Sequence, residues 1–570
     1  MGIGEEVNLL RLTAYNSSLK KTAFKIVEIS YRIENQNMKK SMLKGVILTV
    51  QLFLFTISVS SQVLNEGTFK FGRTLSLIDA FYVDSANLDL LTEKAIVEVL
   101  KNLDPHSTYI SAKDVKEMNE PLNGNFEGIG VLFNLLRDSI IIVEPLGGGP
   151  SEKVGIRSGD RILTINQEKV TGISISTSGV RSRLMGPKGT KVNITVHRKG
   201  VKEILDFTII RDKIPIYSVI ASYMLDKETG YIKLDKFSAT TEKEFSEAVT
   251  NLKKSNMKNL VLDLRGNGGG YMLAATELAD KFFSDQKLLV YMLGRKTPRQ
   301  DFKSSGNGNL SSSRVVILTD EGSASASEIF AGALQDWDRG VILGRRTFGK
   351  GLVQNGFYLT DGSMVRLTIA RYYTPSGRSI QRPYNEGYDK YMESFFRRYT
   401  DGELMSADSV HFPDSVKYKT LINRRTVYGG GGIMPDVFVS ADTSNNSAYF
   451  NRLYAKNVLN SFTLDYYDKN RALLNEQYKS FNDFKMKFQF TAYEIKSLIA
   501  KGEAEGVKFN EEQFNKSKDE ILLILKGYIA SNMWQSGELY QIVNENDKVI
   551  DKALKVISDK NSYNHILGNK

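Results

Sequence analysis

Asp320-Glu321-Gly322-Ser323-Ala324-Ser325-Ala326-Ser327-Glu328-Ile329 is the stretch on which the fold turns. It follows an apolar run, Val315 to Leu318, that predicts a strand, and it leads into Ile329 to Trp337, which predicts a helix. A small-residue turn between strand and helix brings a side chain and unpaired backbone N–H groups to one point. The first-turn N–H groups of a helix have no intrahelical partner and lie at the positive end of its dipole. A serine there can attack a carbonyl while those N–H groups hold the oxyanion. The same residues have a plainer use, because Ser325-Ala326-Ser327-Glu328 is an S-x-x-E capping box that needs no chemistry. Within this stretch alone the cap is the commoner use of such residues, and the surrounding segments decide between the two.

Around it, Pro215 to Tyr373 alternates strand and helix patterns and predicts an α/β layered core. Tyr231–Leu234, Asn259–Leu264, Leu288–Leu293, Val315–Leu318 and Val341–Leu343 read as strands, and Glu242–Leu252 and Met272–Phe283 as helices. The buried strand at Asn259 ends in Arg265-Gly266-Asn267-Gly268-Gly269-Gly270, which lacks the G-x-G-x-x-G spacing of a dinucleotide fold. Glycines there let the backbone approach something closely, as an oxyanion donor or a seat for a substrate strand, or they form a simple turn.

Downstream lies Thr347-Phe348-Gly349-Lys350-Gly351-Leu352-Val353-Gln354. In an extended segment Lys350, Leu352 and Gln354 share a face. A lysine acts as a base only when neutral, far below its free pKa of about 10.4, and burial beside apolar groups can lower it that far. Gln354 can then orient the amine. Taken alone, the lysine is more readily a solvated turn residue.

Residues 125–211 change to short strands separated by glycine turns, with helical pieces at Ser151–Val154 and Ser178–Leu184. Residues 68–122 and the chain from Ala448 onward are helical in pattern, the latter including an amphipathic run through Ile521, Leu522, Leu525 and Ile529. Residues 382–428 read as an irregular insertion. Asp104-Pro105-His106-Ser107 stops a helix, and His106 reads as a turn residue.

Composition narrows the function. The net charge is +11, with no basic stripe interleaved with aromatics, which disfavours nucleic acid as a partner. The absence of cysteine excludes disulfides, thiolate metal sites and a cysteine nucleophile. The four histidines are scattered without metal-ligand spacing, so neither a metal nor another cofactor is expected, and lysine is the more natural base for a serine enzyme. Lys39, Lys40 and Lys44 precede an apolar run, Gly45 to Val59, followed by Ser60 and Ser61, which reads as a secretory signal peptide. Export to the periplasm is expected. The alternative is an uncleaved anchor at residues 45–59, the one route to membrane association. Met38 or Met42 is a more typical start for such a segment, which makes 1–37 an upstream extension.

The segments together resemble the carboxyl-terminal processing peptidases, tail-specific serine proteases with a Ser-Lys dyad. The resemblance runs from about Thr68 to Val439. Its motifs stand in the family's order: Leu103-Asp104-Pro105-His106-Ser107, Gly128-Ile129-Gly130-Val131, Gly155-Ile156-Arg157-Ser158-Gly159-Asp160-Arg161-Ile162, Asp263 to Gly270, Ser323 to Glu328, Thr347 to Gly351 with Gln354, Tyr373 to Gly377, and Gly432-Ile433-Met434-Pro435-Asp436. The resemblance implies a multidomain α/β fold, with a crotonase- and Clp-protease-like β-α-β core and an inserted PDZ domain. The expected domains are a leader and signal peptide at 1–61, a helical region at 62–122, the PDZ domain at 123–212, the protease core at 213–440 and a helical region at 441–570.

By the same resemblance Ser325 is the nucleophile, in preference to Ser323 and Ser327; Lys350 is the general base and Gln354 its orienting partner. The oxyanion donors fall on the N–H of Ala326 and one from the Gly268–Gly270 turn, at Gly269. Asp336 matches a supporting position. Gly128, Ile129, Gly130 and Val131 fall on the loop that receives a peptide's C-terminal carboxylate, with the peptide added as an edge strand. The implied activity is endopeptidase cleavage of proteins with free apolar C-termini, with an adaptor or activating protein as a candidate partner. The alternative is a catalytically silent PDZ scaffold for envelope proteins. Many relatives carry an arginine where this chain has Met185, so a switch built on that arginine is not expected here unless Arg181 or Arg183 replaces it.

Overall fold

The computed structural model describes residues 66–136 and 139–568. The expected signal segment, the start-site extension and the 45–59 anchor lie outside the described residues. Among the described residues no helix is long and apolar enough to cross a membrane. The chain divides into two units, Met1–Lys94 and Ala95–Lys570. The described part of the first holds the helix Glu66–Phe81, none of whose residues is buried, and the start of the helix Leu88–Lys101.

The second unit is organised on a six-stranded sheet in the order Val219–Met224, Thr229–Leu234, Asn259–Asp263, Val315–Thr319, Val341–Gly344, Val437–Phe438. The first pair is antiparallel and the rest are parallel. Parallel strands covered on both faces read as continuous apolar runs, which is why Val315–Leu318 carries no polar alternation. The pleat still sorts its side chains. Ile232, Leu234, Leu260, Leu262, Val315, Ile317 and Ile342 enter one cluster with the helices Thr241–Lys254, Met272–Asp280 and Ala326–Asp336. Tyr231, Val261, Val316, Leu318, Val341 and Leu343 enter another on the opposite face.

A second, five-stranded antiparallel sheet contains Thr108–Ile110, Met364–Tyr373, Leu288–Leu293 and Gln300–Lys303 in that order, with Leu352–Tyr358 paired to Met364–Tyr373. Leu289, Val290 and Tyr372 pack into the same cluster as the helices of the first face. The helix layer therefore lies between two sheets, the β-α-β arrangement anticipated for the core. Thr108–Ile110 and Gln300–Lys303 were not anticipated, because three or four residues are too few to show alternation.

The small sheet of the 123–212 segment runs Val131–Leu136, Ser139–Pro145, Arg161–Ile165, Lys191–His197, Leu205–Ile210, which leaves Val131–Leu136 on an edge. Val180 and Leu184 of the helix Thr177–Leu184 join Val192, Ile194 and Val196 in its core. Met185 caps that helix. Arg183 pairs with Glu168 at 2.7 Å, within the same segment, whereas Arg181 reaches Glu117 of the helix Ala112–Asn123 at 3.9 Å.

One expectation needs correction. Residues 382–428 are not wholly irregular: Tyr388–Thr400 is a helix, and Lys417–Lys419 pairs with Thr426–Tyr428. Its buried positions are Tyr391 and Arg398, and a buried arginine breaks the apolar pattern by which a helix is recognised. The C-terminal helices reach the central sheet. Val549, Ile550, Ala553, Val556 and Ile557 of Lys548–Ser558, with Tyr563 and Leu567, cover the second face of the central sheet. Tyr563 fixes this contact through its hydroxyl, which accepts from Val315 N–H and donates to Val315 O, each at 3.1 Å. The preceding helices form their own cores, and Arg471 of Val458–Gln477 donates to the Ser158 carbonyl of the small sheet.

Ile557 is fully buried against the sheet. Ile557→Ala should cost about 2–5 kcal/mol of stability, as large-to-small core changes do; a urea unfolding curve that moves no more than that of an exposed control would refute this role for the last helices.

Candidate active site

Ser325 has φ 53° and ψ −111°, a left-handed conformation that a non-glycine residue adopts only under constraint. The constraint is visible on both sides. Ser323 N–H donates to the Asp320 carboxylate, and Ala324 N–H donates to Asn267 O. Ser325 N–H donates to Glu328 Oε2 at 2.8 Å, while Ser325 O accepts from Glu328 N–H and Ile329 N–H, each at 2.9 Å. The glutamate half of the capping box is thus formed.

The three serines of the turn separate cleanly. Ser323 and Ser327 are fully buried, and their hydroxyls donate to Leu264 O at 2.8 Å and to Asn267 O at 2.9 Å. Ser325 alone of the three lines a cleft of about 690 Å³, together with Gly268, Gly269, Gly270, Lys350, Gln354 and Arg366.

Gly269 explains why the turn after Asn259–Asp263 is glycine. A Cβ there would lie 2.7 Å from Ala324 O, 2.8 Å from Ser325 Cβ and 2.9 Å from Ala326 N. The backbone thus comes against the serine with no room for a side chain. The N–H of Gly269 itself is turned to Asn267 Oδ1 at 2.9 Å, which corrects its assignment as an oxyanion donor. Within the glycine turn and the serine turn, the N–H groups of Gly268, Gly270 and Ala326 have no partner among the described residues.

Glu328 joins the serine turn to the lysine loop. Its buried carboxylate accepts from Ser325 N–H, Thr347 Oγ1, Gly349 N–H at 2.7 Å and Lys350 N–H at 2.9 Å. Burial pushes the Glu328 carboxyl up, and the bonds from Thr347, Lys350, Gly349 and Ser325 oppose that by favouring its ionised form. The Tyr372 hydroxyl lies 2.7 Å from Lys350 O and 3.1 Å from Ser325 O, a second clasp across the same gap.

The Lys350 amine donates to Gln354 Oε1 at 2.9 Å, and Gln354 Nε2 donates to the His106 carbonyl. Desolvation, joined by the charge of Arg366, lowers the amine from 10.5 to about 8 against the opposing pull of Glu328 and Asp104. Among the described residues the amine makes no hydrogen bond with the Ser325 hydroxyl. The Asp104–Ser107 turn, read from sequence as a helix stop, holds this group in place. Asp104 accepts from His106 N–H, Ser107 N–H and the hydroxyls of Ser107 and Thr368. His106 itself is half-buried, pushed down to about 4 by desolvation and the neighbouring Lys350 charge, and its Nε2 lies 2.9 Å from the Tyr391 hydroxyl.

Asp336 does not reach the cleft. It ends the eleven-residue helix that starts at Ala326, roughly 15 Å away at 1.5 Å per residue. It forms a fully buried ion pair with Arg378 at 2.7 Å and accepts from Ser376 N–H, which anchors the turn after Met364–Tyr373. Just ahead of Val131–Leu136, Ile129 O accepts from the N–H and hydroxyl of Ser151, and Gly130 O accepts from Leu146 N–H. The N–H groups of Ile129 and Gly130 have no partner among the described residues, and Val131 begins the open edge strand.

The fold and this cleft are those of a serine peptidase carrying a PDZ domain. Residues 228–387 match the family described as Peptidase family S41, residues 128–209 match the PDZ domain, and residues 449–535 match a family of unknown function. The chain is 34% identical over 346 residues to the carboxy-terminal-processing protease of Bartonella bacilliformis, covering 59% of this chain and 78% of that protein. It is 35% identical over 314 residues to the carboxy-terminal processing protease CtpA of Bacillus subtilis, covering 55% and 66%. The solved photosystem II D1 C-terminal processing protease is 28% identical, with a TM-score of 0.34, over 67% of this chain and 89% of that one. This chain belongs to the carboxy-terminal processing protease family.

Glu328→Gln replaces an acceptor of four bonds with a group that must turn N–H against N–H. A displacement of about 1 Å between reacting groups costs on the order of 100-fold in rate. Peptidase activity of the variant on an unfolded protein should fall by that order with far-UV circular dichroism unchanged; parental activity would show that the carboxylate does not set the geometry.

Proposed function

We propose that the chain is an endopeptidase that receives the C-terminal tail of a protein on residues 128–131 and cleaves it by a Ser325–Lys350 dyad. The observation that carries this reading is the pairing, in one cleft, of a strained Ser325 with an amine lowered to about 8 and held by Gln354. In the reaction Ser325 Oγ bonds to the scissile carbonyl carbon and its proton passes to neutral Lys350 Nζ. The N–H of Ala326 and one from the Gly268–Gly270 turn hold the oxyanion. Collapse breaks the C–N bond, and the lysine returns its proton to the leaving amine. Water then adds to the ester carbon as the same amine takes its proton, and collapse breaks the C–O bond to Ser325 while the lysine returns that proton to Ser325 Oγ.

Residues 123–212 act here as the tail-binding domain and 213–440 as the protease core. Two free N–H groups at Ile129 and Gly130 suit a terminal carboxylate, and the adjacent edge strand suits an added peptide strand. Val131, Phe133 and Leu135 pack along that strand, which favours apolar tail residues. Export through the 45–59 segment belongs to the same proposal.

Ser325→Ala should abolish cleavage of an unfolded protein and leave tail binding intact; a variant that cuts like the parent removes the nucleophile assignment. A free C-terminus should be cleaved faster than the amidated form of the same peptide, and equal rates would remove tail recognition.

The pH profile tests the base. Only the neutral amine accepts a proton, so kcat/KM should rise with pH and level off above about 8. Below that it should fall about tenfold per pH unit, as for any single essential base. The charged or titratable neighbours are Arg366, Glu328, Asp104 and His106, and His106 is already neutral above about 4. A limb near 6 or one absent altogether would exclude Lys350 as the base.

A further inference from the structure

We infer that Arg366 forms a carboxylate-binding subsite in the catalytic cleft, so that peptides carrying a carboxylate next to the scissile bond are preferred. The inference rests on the dyad proposed above and adds a substrate class to it.

Arg366 lies on the strand Met364–Tyr373 and lines the cleft with Met364 and Tyr372. A guanidinium has five N–H donors. Among the described residues the acceptor found for them is Met118 Sδ, 3.7 Å from Nη1, and a thioether is a weak acceptor. Nε is shielded from solvent and has no partner. Three other arginines of the core each have a carboxylate partner. Arg378 faces Asp336, Arg398 faces Glu403, and Arg265 faces Asp263, each at 2.7 Å.

Among the described residues the cleft offers Arg366 no counterion. Its charged lining residues are Lys350 and Arg366, with no aspartate or glutamate among them. The nearby Asp104 carboxylate is taken up by His106 N–H, Ser107 N–H and the hydroxyls of Ser107 and Thr368. Glu328 is occupied by its four donors behind the serine. A partly desolvated cation without a partner is costly, and a carboxylate matches its planar fork in two parallel bonds. Burial alone already depresses this guanidinium. A bound peptide can complete the pair from an aspartate or glutamate side chain or from a terminal carboxylate.

The test uses the full chain and peptides that differ only by Asp or Asn at each position flanking the cleaved bond. A parallel pair places a free or amidated C-terminus there. At one position the acidic form should have a KM about tenfold or more below that of its neutral twin, the scale of one charge-assisted hydrogen bond. The Asp/Asn arm and the acid/amide arm tell side chain from terminus. Arg366→Gln should bring the acid-to-neutral ratio to about one, and Arg366→Lys should keep part of it. Because the readout is a ratio, a change in turnover common to both peptides cancels. Should Arg366→Gln cut too slowly, the same pairs are titrated onto Ser325→Ala with and without Arg366→Gln, and the affinity ratio replaces the KM ratio.

No discrimination by the parent, or discrimination that survives Arg366→Gln, overturns the subsite. A shifted pH limb for all peptides with an unchanged ratio does so as well, since it would leave Arg366 only a tuner of Lys350. Failure of the dyad itself is a separate result, seen as parental cleavage by Ser325→Ala.

Discussion

One buried carboxylate ties the site together. Glu328 accepts from the backbone of Ser325 on its own helix and from Thr347, Gly349 and Lys350 on another segment. Serine and lysine are thereby fixed through backbone bonds rather than through their own reactive groups. This leaves the hydroxyl and the amine available for chemistry. A solvated carboxylate could not do the same, because charge-assisted bonds gain strength where water is excluded. The Tyr372 hydroxyl between Ser325 O and Lys350 O closes the same gap from the second sheet.

The layered core is what brings these groups within reach. Parallel strands deliver the Gly266–Gly270 turn and the serine turn to the same end of the sheet, where open α/β sheets place their ligands. Gly269 can then lie against Ala326 N. The antiparallel sheet brings Lys350, Gln354 and Arg366 from the other side of the helix layer. Leu352–Tyr358 and Met364–Tyr373 pair with a register shift at Val353/Gln354, so that Gln354 stands opposite Thr368, itself bound to Asp104 and Ser107. The back of the central sheet is closed by helices from the far end of the sequence.

Much of this was legible in the residues. Uninterrupted apolar runs marked the parallel strands, glycine runs marked the close approaches, and the order of motifs gave the family. What escaped was of three kinds. Very short strands carry too little pattern. Tyr388–Thr400 hid its helical period behind the buried Arg398, whose partner Glu403 is reached only in the folded chain. Contacts between distant segments had no local signature: the hold of His106 O on Gln354, the ion pair of Asp336 with Arg378, and the docking of Lys548–Ser558 on the sheet. The choice among Ser323, Ser325 and Ser327 rested on resemblance in the sequence and rests on hydroxyl partners in the structure.

The depressed amine also has a thermodynamic consequence for the chain as a whole. Folding lowers Lys350 from 10.5 to about 8, so the folded chain binds this proton more weakly than the unfolded one. Between those two values unfolding takes up a proton, and by linkage stability rises with pH across that window. Below about pH 8 the full penalty is present, on the order of 3 kcal/mol at 1.36 kcal/mol per pKa unit, and above about 10.5 it is gone. The fold is therefore least at ease with this desolvated amine under near-neutral conditions, and a methionine at that position should make a sturdier molecule.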